Sequence, residues 1–83
     1  MKNKKIIMVL VNHRNGESVD IEVPVDITAN ELIIGLNEGF KLGMNTEDIY
    51  NCYLSTENPI ALVKGNRSLA EYGLRDGTVI NIV

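Results

Sequence analysis

Few side chains in this sequence could do chemistry beyond ordinary hydrogen bonding: one histidine, His13, one cysteine, Cys52, and a run of carboxylates, Glu17, Asp20, Glu22 and Asp26. A cysteine or serine nucleophile needs a base within hydrogen-bonding reach and a third group to orient that base. His13 falls in Asn12-His13-Arg14-Asn15-Gly16, whose Asn-Gly pair favours a hairpin turn, so it is expected to be a solvated loop residue. Cys52 has neither a CxxC partner nor the further ligands that zinc or an iron–sulfur cluster requires, and reads as a buried structural thiol. Carboxylates that do acid–base work need a pocket that shifts their pKa values. Asp20 and Glu22 instead alternate with Val19, Ile21 and Val23, which puts both on a solvated face. Glu47 and Asp48 read as loop charges, no glycine-rich phosphate loop is present, and Asn66-Arg67-Ser68 matches a glycosylation sequon without any secretory signal to give it meaning. No nucleophile, base and oxyanion donor converge, so the expectation is a protein that is not an enzyme and has no metal or cofactor.

The elements that position these residues must fit into 83 residues. A chain this short forms one domain, taken here as residues 1–83, and buries only about 60% of the surface its unfolded form exposes. It is 45% hydrophobic with no Trp, one Phe and three Tyr, so its core is expected to consist mainly of Ile, Leu and Val, residues that suit a pleated sheet. The net charge of −3 supplies no electrostatic footprint for nucleic acid or an anionic membrane. The cluster Lys2, Lys4 and Lys5 before the apolar run Ile6–Val11 is too short a start for a signal peptide, because polar Asn12, His13 and Arg14 follow at once. No stretch approaches the ~20 apolar residues of a membrane span, and a single cysteine fits a reducing cytoplasm.

Ile6–Val11 is continuously apolar, the pattern of a strand covered on both faces, and it pairs as a hairpin with the alternating strand Val19–Val23. Thr28 and Glu31 match a capping box that opens a helix with the stripe Leu32, Ile33, Leu36 and Phe40 and a stop at Gly43. Gly35 and Gly39 inside it read as two tolerated glycines, with room for the sheet or a neighbouring chain to approach there. Ile49–Leu54 reads as a third strand, Asn58-Pro59 as a turn and Ile60–Val63 as a fourth strand. Leu69–Gly73 reads as a single helical or 3₁₀ turn, and Thr78–Val83, after Asp76-Gly77, as the last strand. The result is an α+β protein with a mixed sheet of about five strands, in the order ββαββ with a short helical turn before the last strand.

That order, with the ending Leu69-x-x-Tyr72-x-Leu74-x-x-Gly77-x-x-Ile80-x-Ile82, resembles the β-grasp of ubiquitin-like domains. Within that group the chain, from Ile6 to Val83, is most similar to the YukD/EsaB-like proteins associated with type VII (WXG100) secretion. The resemblance implies that Tyr72 is structural and anchors the loop before the last strand, with Gly77 serving the turn. It also implies a non-catalytic accessory or regulatory component of that secretion system. Conjugated modifiers and related sulfur carriers end in a flexible Gly-Gly whose unhindered carboxylate is adenylated. This sequence ends at Val83, a β-branched residue of the expected last strand, so the expectation is a module that is not conjugated. The alternative is a sulfur carrier or protein modifier activated by an adenylating enzyme.

With Ile80 and Ile82 pointing inward, Val79, Asn81 and Val83 point outward, joined by either Ile6/Met8/Leu10 or Ile7/Val9/Val11. Such a face is unusually apolar, and exposed apolar patches of several hundred Å² commonly mark partner sites. The candidate partner-binding residues are Met8, Leu62, Lys64, Val79, Asn81 and Val83. The expected partner is a protein, such as a membrane-bound secretion ATPase or another subunit of the apparatus, with homodimerisation through the same face as a variant. Nucleic acid and direct membrane insertion are not expected. The expected location is the cytoplasm, peripheral to the membrane through the protein partner.

Overall fold

The computed structural model describes residues 4–83, so Lys2 of the N-terminal basic cluster lies outside the described residues. Strands β1 (Lys5–Asn12) and β2 (Glu17–Pro24) form the hairpin, and helix α1 (Ala29–Phe40) follows. A 3₁₀ helix (Thr46–Asn51) precedes β3 (Leu54–Glu57), β4 (Ala61–Val63) and β5 (Val79–Ile82). The strands make one mixed sheet in the order β2-β1-β5-β3-β4, with β5 parallel to β1 and antiparallel to β3. The chain thus reaches the centre of the sheet last, which makes the β1–β5 pairing a contact between its two ends.

Helix α1 begins as the sequence predicts. The Thr28 hydroxyl accepts from Glu31 N–H at 3.1 Å, and a Glu31 carboxylate oxygen accepts from Thr28 N–H at 2.8 Å. The next free amides, on Ala29 and Asn30, donate to the carbonyls of Arg67 and Gly65, which ties the helix start to the loop before β5. Ala29, Leu32, Ile33 and Leu36 pack with Ile6, Met8, Leu10, Leu54, Val63, Leu69, Leu74, Ile80 and Ile82 in the core between helix and sheet.

Four expectations are corrected. The β1 run is buried on one face only: Met8 is 0% exposed and Ile6 and Leu10 are buried, whereas Ile7 is exposed and Val9 and Val11 are half-buried, because one helix covers only one side of the sheet. Ile49 to Asn51 lie in the 3₁₀ helix and not in a strand, which starts only at Leu54. The Asn45 side chain accepts from Glu47 N–H there, a local bond that competes with sheet pairing. Phe40 leaves the apolar stripe and is exposed, since the helix ends with it. Lys41, at φ 54°, takes the left-handed position expected two residues later at Gly43, and its N–H donates to the Asn37 carbonyl. Gly35 and Gly39, read as tolerated, do face open space, with nothing among the described residues within 4 Å of the position a Cβ would occupy.

Candidate functional site

The registers settle which side chains share the outer face of the sheet, the side away from α1. Directly paired residues point the same way, so the pairs Val9–Asp20, Val9–Val79 and Val79–Glu57 make one row across the sheet. Ser18, Val11, Asn81, Ser55 and Leu62 make the next row, and Glu22 with Ile7 a third. Of the sequence-predicted binding residues, Leu62 is 55% exposed and Val83, one residue past β5, is 85% exposed. Lys64 is exposed just after β4, while Val79 and Asn81 are half-buried within their rows. Met8 does not belong with them. It is the neighbour of Ile21 on the inner face and is packed in the core, so Ile7, Val9 and Val11 are the β1 residues of the outer face.

This face is less apolar than the sequence suggests. Carboxylates of Asp20, Glu22 and Glu57 flank the stripe of Ile7, Val9 and Val79. Toward the other end, Asn81 donates from Nδ2 to a Glu57 oxygen at 2.8 Å and lies 2.8 Å from His13 Nε2, so one amide links the β1–β2 turn to β3. His13 is the exposed turn residue expected, with one hydrogen bond the sequence did not show. Beside it Arg14 donates from Nη1 to the Leu42 carbonyl at 2.6 Å and from Nε to the Val83 carbonyl at 3.1 Å. Arg14, Tyr53, Ser55, Asn81 and Val83 line a shallow cleft of about 340 Å³ at this corner. The sequence reading missed Arg14 and Tyr53. Tyr53 is 53% exposed and precedes β3, a position visible only once that strand is placed at Leu54.

The loops that hold this face are satisfied by side chains. The Tyr72 hydroxyl donates to the Lys64 carbonyl at 2.7 Å and accepts from Lys64 N–H at 3.2 Å. Asp76 accepts from Ile7 N–H at 2.8 Å, and the N–H of Gly77, at φ 89°, donates to the Ile7 carbonyl at 2.9 Å. One turn therefore binds both main-chain groups of Ile7, and only glycine takes that φ readily. Buried Thr78 donates to the Asn58 carbonyl at 2.7 Å and accepts from Arg75 N–H at 3.0 Å. The thiol of buried Cys52 points at the Asn45 and Asp48 carbonyls, 3.4 and 3.6 Å away, and so serves the 3₁₀ helix. Among the described residues no group of three or more His, Cys, Asp or Glu side chains is placed to hold a metal ion.

Residues 6–82 match the family model for the WXG100 protein secretion system (Wss) protein YukD. The chain belongs to the YukD family. No curated protein matches it at a significant level. Its fold is that of ubiquitin-like domains, with a TM-score of 0.74 to the ubiquitin-like domain of tubulin-binding cofactor B at 15% identity, covering 96% of this chain and 89% of that one. The C-terminal ubiquitin-like domain of mouse tubulin-specific chaperone e gives 0.73 at 11% identity, covering 99% and 88%. A ubiquitin-like domain from Arabidopsis thaliana gives 0.68 at 16%, covering 96% and 77%. At these identities the likeness is one of fold alone. In this YukD-family chain no described helix is long and apolar enough to cross a membrane.

Proposed function

We propose that the whole chain acts as one non-catalytic, ubiquitin-like binding module, a cytoplasmic accessory or regulatory component of the WXG100 secretion system. It docks through the outer sheet face onto a protein subunit of that machinery, the membrane-bound ATPase or another membrane subunit. Tyr72 and Gly77 are structural in this reading and hold the loop before β5. The observation that carries it is the corner where Tyr53 and Val83, each more than half exposed, line one cleft with half-buried Asn81 and the Arg14 side chain, with Leu62, 55% exposed, beyond Ser55 in the same row. Large side chains without cover, beside a few fixed polar groups, are the usual make-up of a protein contact.

The test is a pull-down from cytosol and from solubilised membranes of the source cell, comparing the native chain with Leu62→Asp/Val83→Asp. Both positions are exposed, so circular dichroism should show an unchanged fold. Recovery of a secretion-apparatus subunit by the native chain and its loss from the variant is expected. Equal recovery by both would move the site off this face, and recovery of an adenylating enzyme would favour a carrier.

A further inference from the structure

The two edges of the sheet differ in a way the face-docking proposal does not use. β4, at one edge, has three residues, whereas β2, at the other, has eight and, among the described residues, no strand beyond it. A long free edge is a template for another strand unless something blocks it. The Val25 N–H donates to the Lys4 carbonyl, and the ladder alternates from there. Val19, Ile21 and Val23 therefore spend their main-chain groups on β1, while Ser18, Asp20 and Glu22 turn theirs outward. Beneath this edge the helix leaves an opening. Val19 and Phe40, 44% and 43% exposed, face a groove of about 340 Å³ floored by Leu10.

We infer that the β2 edge is a strand-addition site for an extended segment of a protein partner in which apolar residues alternate with lysine or arginine. The apolar positions fall on the inner side and enter the groove at Val19 and Phe40. The basic positions fall on the outer side, opposite Asp20 and Glu22, and β2 offers them no competing cation of its own. The same carboxylates disfavour a second copy of the chain in the register centred on Ile21. Antiparallel pairing of two β2 strands about Ile21 sets Asp20 of each against Glu22 of the other, and like charges directly opposite are unfavourable. Main-chain pairing supplies affinity in such a complex, and the alternate side chains supply selectivity.

The test uses the full chain and a capped octapeptide of alternating lysine and valine, followed by NMR of backbone amides. Shifts concentrated at residues 18–22 and at Phe40, with slowed exchange of the Ser18, Asp20 and Glu22 amides, are expected. In antiparallel pairing the lysine amides face β2, so the same peptide N-methylated at its lysine amides loses those donors and should bind far more weakly. Asp20→Lys/Glu22→Lys should weaken the lysine peptide roughly tenfold, the scale set by turning two attractive cross-strand pairs into repulsive ones. Equal binding of the N-methylated peptide, or shifts spread over the acidic surface without protection of β2, would reduce the effect to diffuse charge attraction and overturn the site. No binding at millimolar peptide would overturn it as well.

Discussion

Tyr72 and Thr78 do the same kind of work in different surroundings, and the difference sets what each is worth. Tyr72 is half-buried and its hydroxyl serves both main-chain groups of Lys64, while the Arg67 guanidinium lies over the ring with 5.9 Å to the centroid. Phenylalanine would keep the ring and the cation contact but lose the hydroxyl. Tyr72→Phe should therefore cost about 1 kcal/mol, read as a lower urea midpoint at unchanged slope. An unchanged midpoint would mean water replaces the hydroxyl freely. Thr78 is fully buried between the Asn58 carbonyl and Arg75 N–H. Thr78→Val keeps the shape and strands both partners, so its cost should be the larger, about 1–3 kcal/mol. The tyrosine was legible in the sequence through the spacing of the last segment. The threonine was not, because a residue opening a predicted strand gives no sign that its hydroxyl reaches a turn twenty positions earlier.

At the scale of elements, α1 was legible because its start is written locally: Thr28 and Glu31 satisfy each other whatever the rest of the chain does. The segment before β3 was not. Ile49, Tyr50, Cys52, Tyr53 and Leu54 have the composition of a strand, yet Thr46–Asn51 is helical. Asn37, on α1, accepts from Met44 N–H at 2.8 Å and donates to the Met44 carbonyl at 3.1 Å, fixing where the connection leaves the helix. A bond between residues on different elements cannot be seen in composition. The direction of the helical glycines was hidden for a related reason, since their spacing leaves room for a neighbour while the capped start sets which way they face. Gly35 and Gly39 meet open space, so alanine brings helix propensity without a clash. Gly35→Ala and Gly39→Ala should each raise stability by about 0.5–1 kcal/mol, measured by thermal or urea unfolding. A loss at either position would show that an unseen partner approaches that side of the helix.

For the molecule as a whole, the parity of β1 was the undecidable point, because Ile-Ile-Met-Val-Leu-Val is apolar in both phases and only the position of one helix chooses between them. That choice put Met8 in the core and Ile7 outside, and with it decided which half of the candidate face was real. The same arrangement predicts how stability is distributed. β1 is flanked by β2 and β5, its inner side chains are buried, and Val9 N–H is bonded to the Thr78 carbonyl of the chain's other end. Opening it means separating both ends of the chain and exposing the core, which is global unfolding. The 3₁₀ helix contains no buried residue and can open while the sheet stays intact. Native proteins in general have about 5–15 kcal/mol of global stability, and local openings cost less. Native-state hydrogen exchange should then find the Met8, Val9 and Leu10 amides opening only with the full unfolding free energy and full denaturant dependence. The Asp48 and Cys52 amides, each bonded within the 3₁₀ segment, should exchange at a lower free energy with little dependence. If all of them shared one denaturant-dependent free energy, the segment around the cleft would be part of the same cooperative unit as the sheet. A partner could not then order the cleft locally on docking, and the corner of Tyr53 and Val83 would have to bind as a rigid surface.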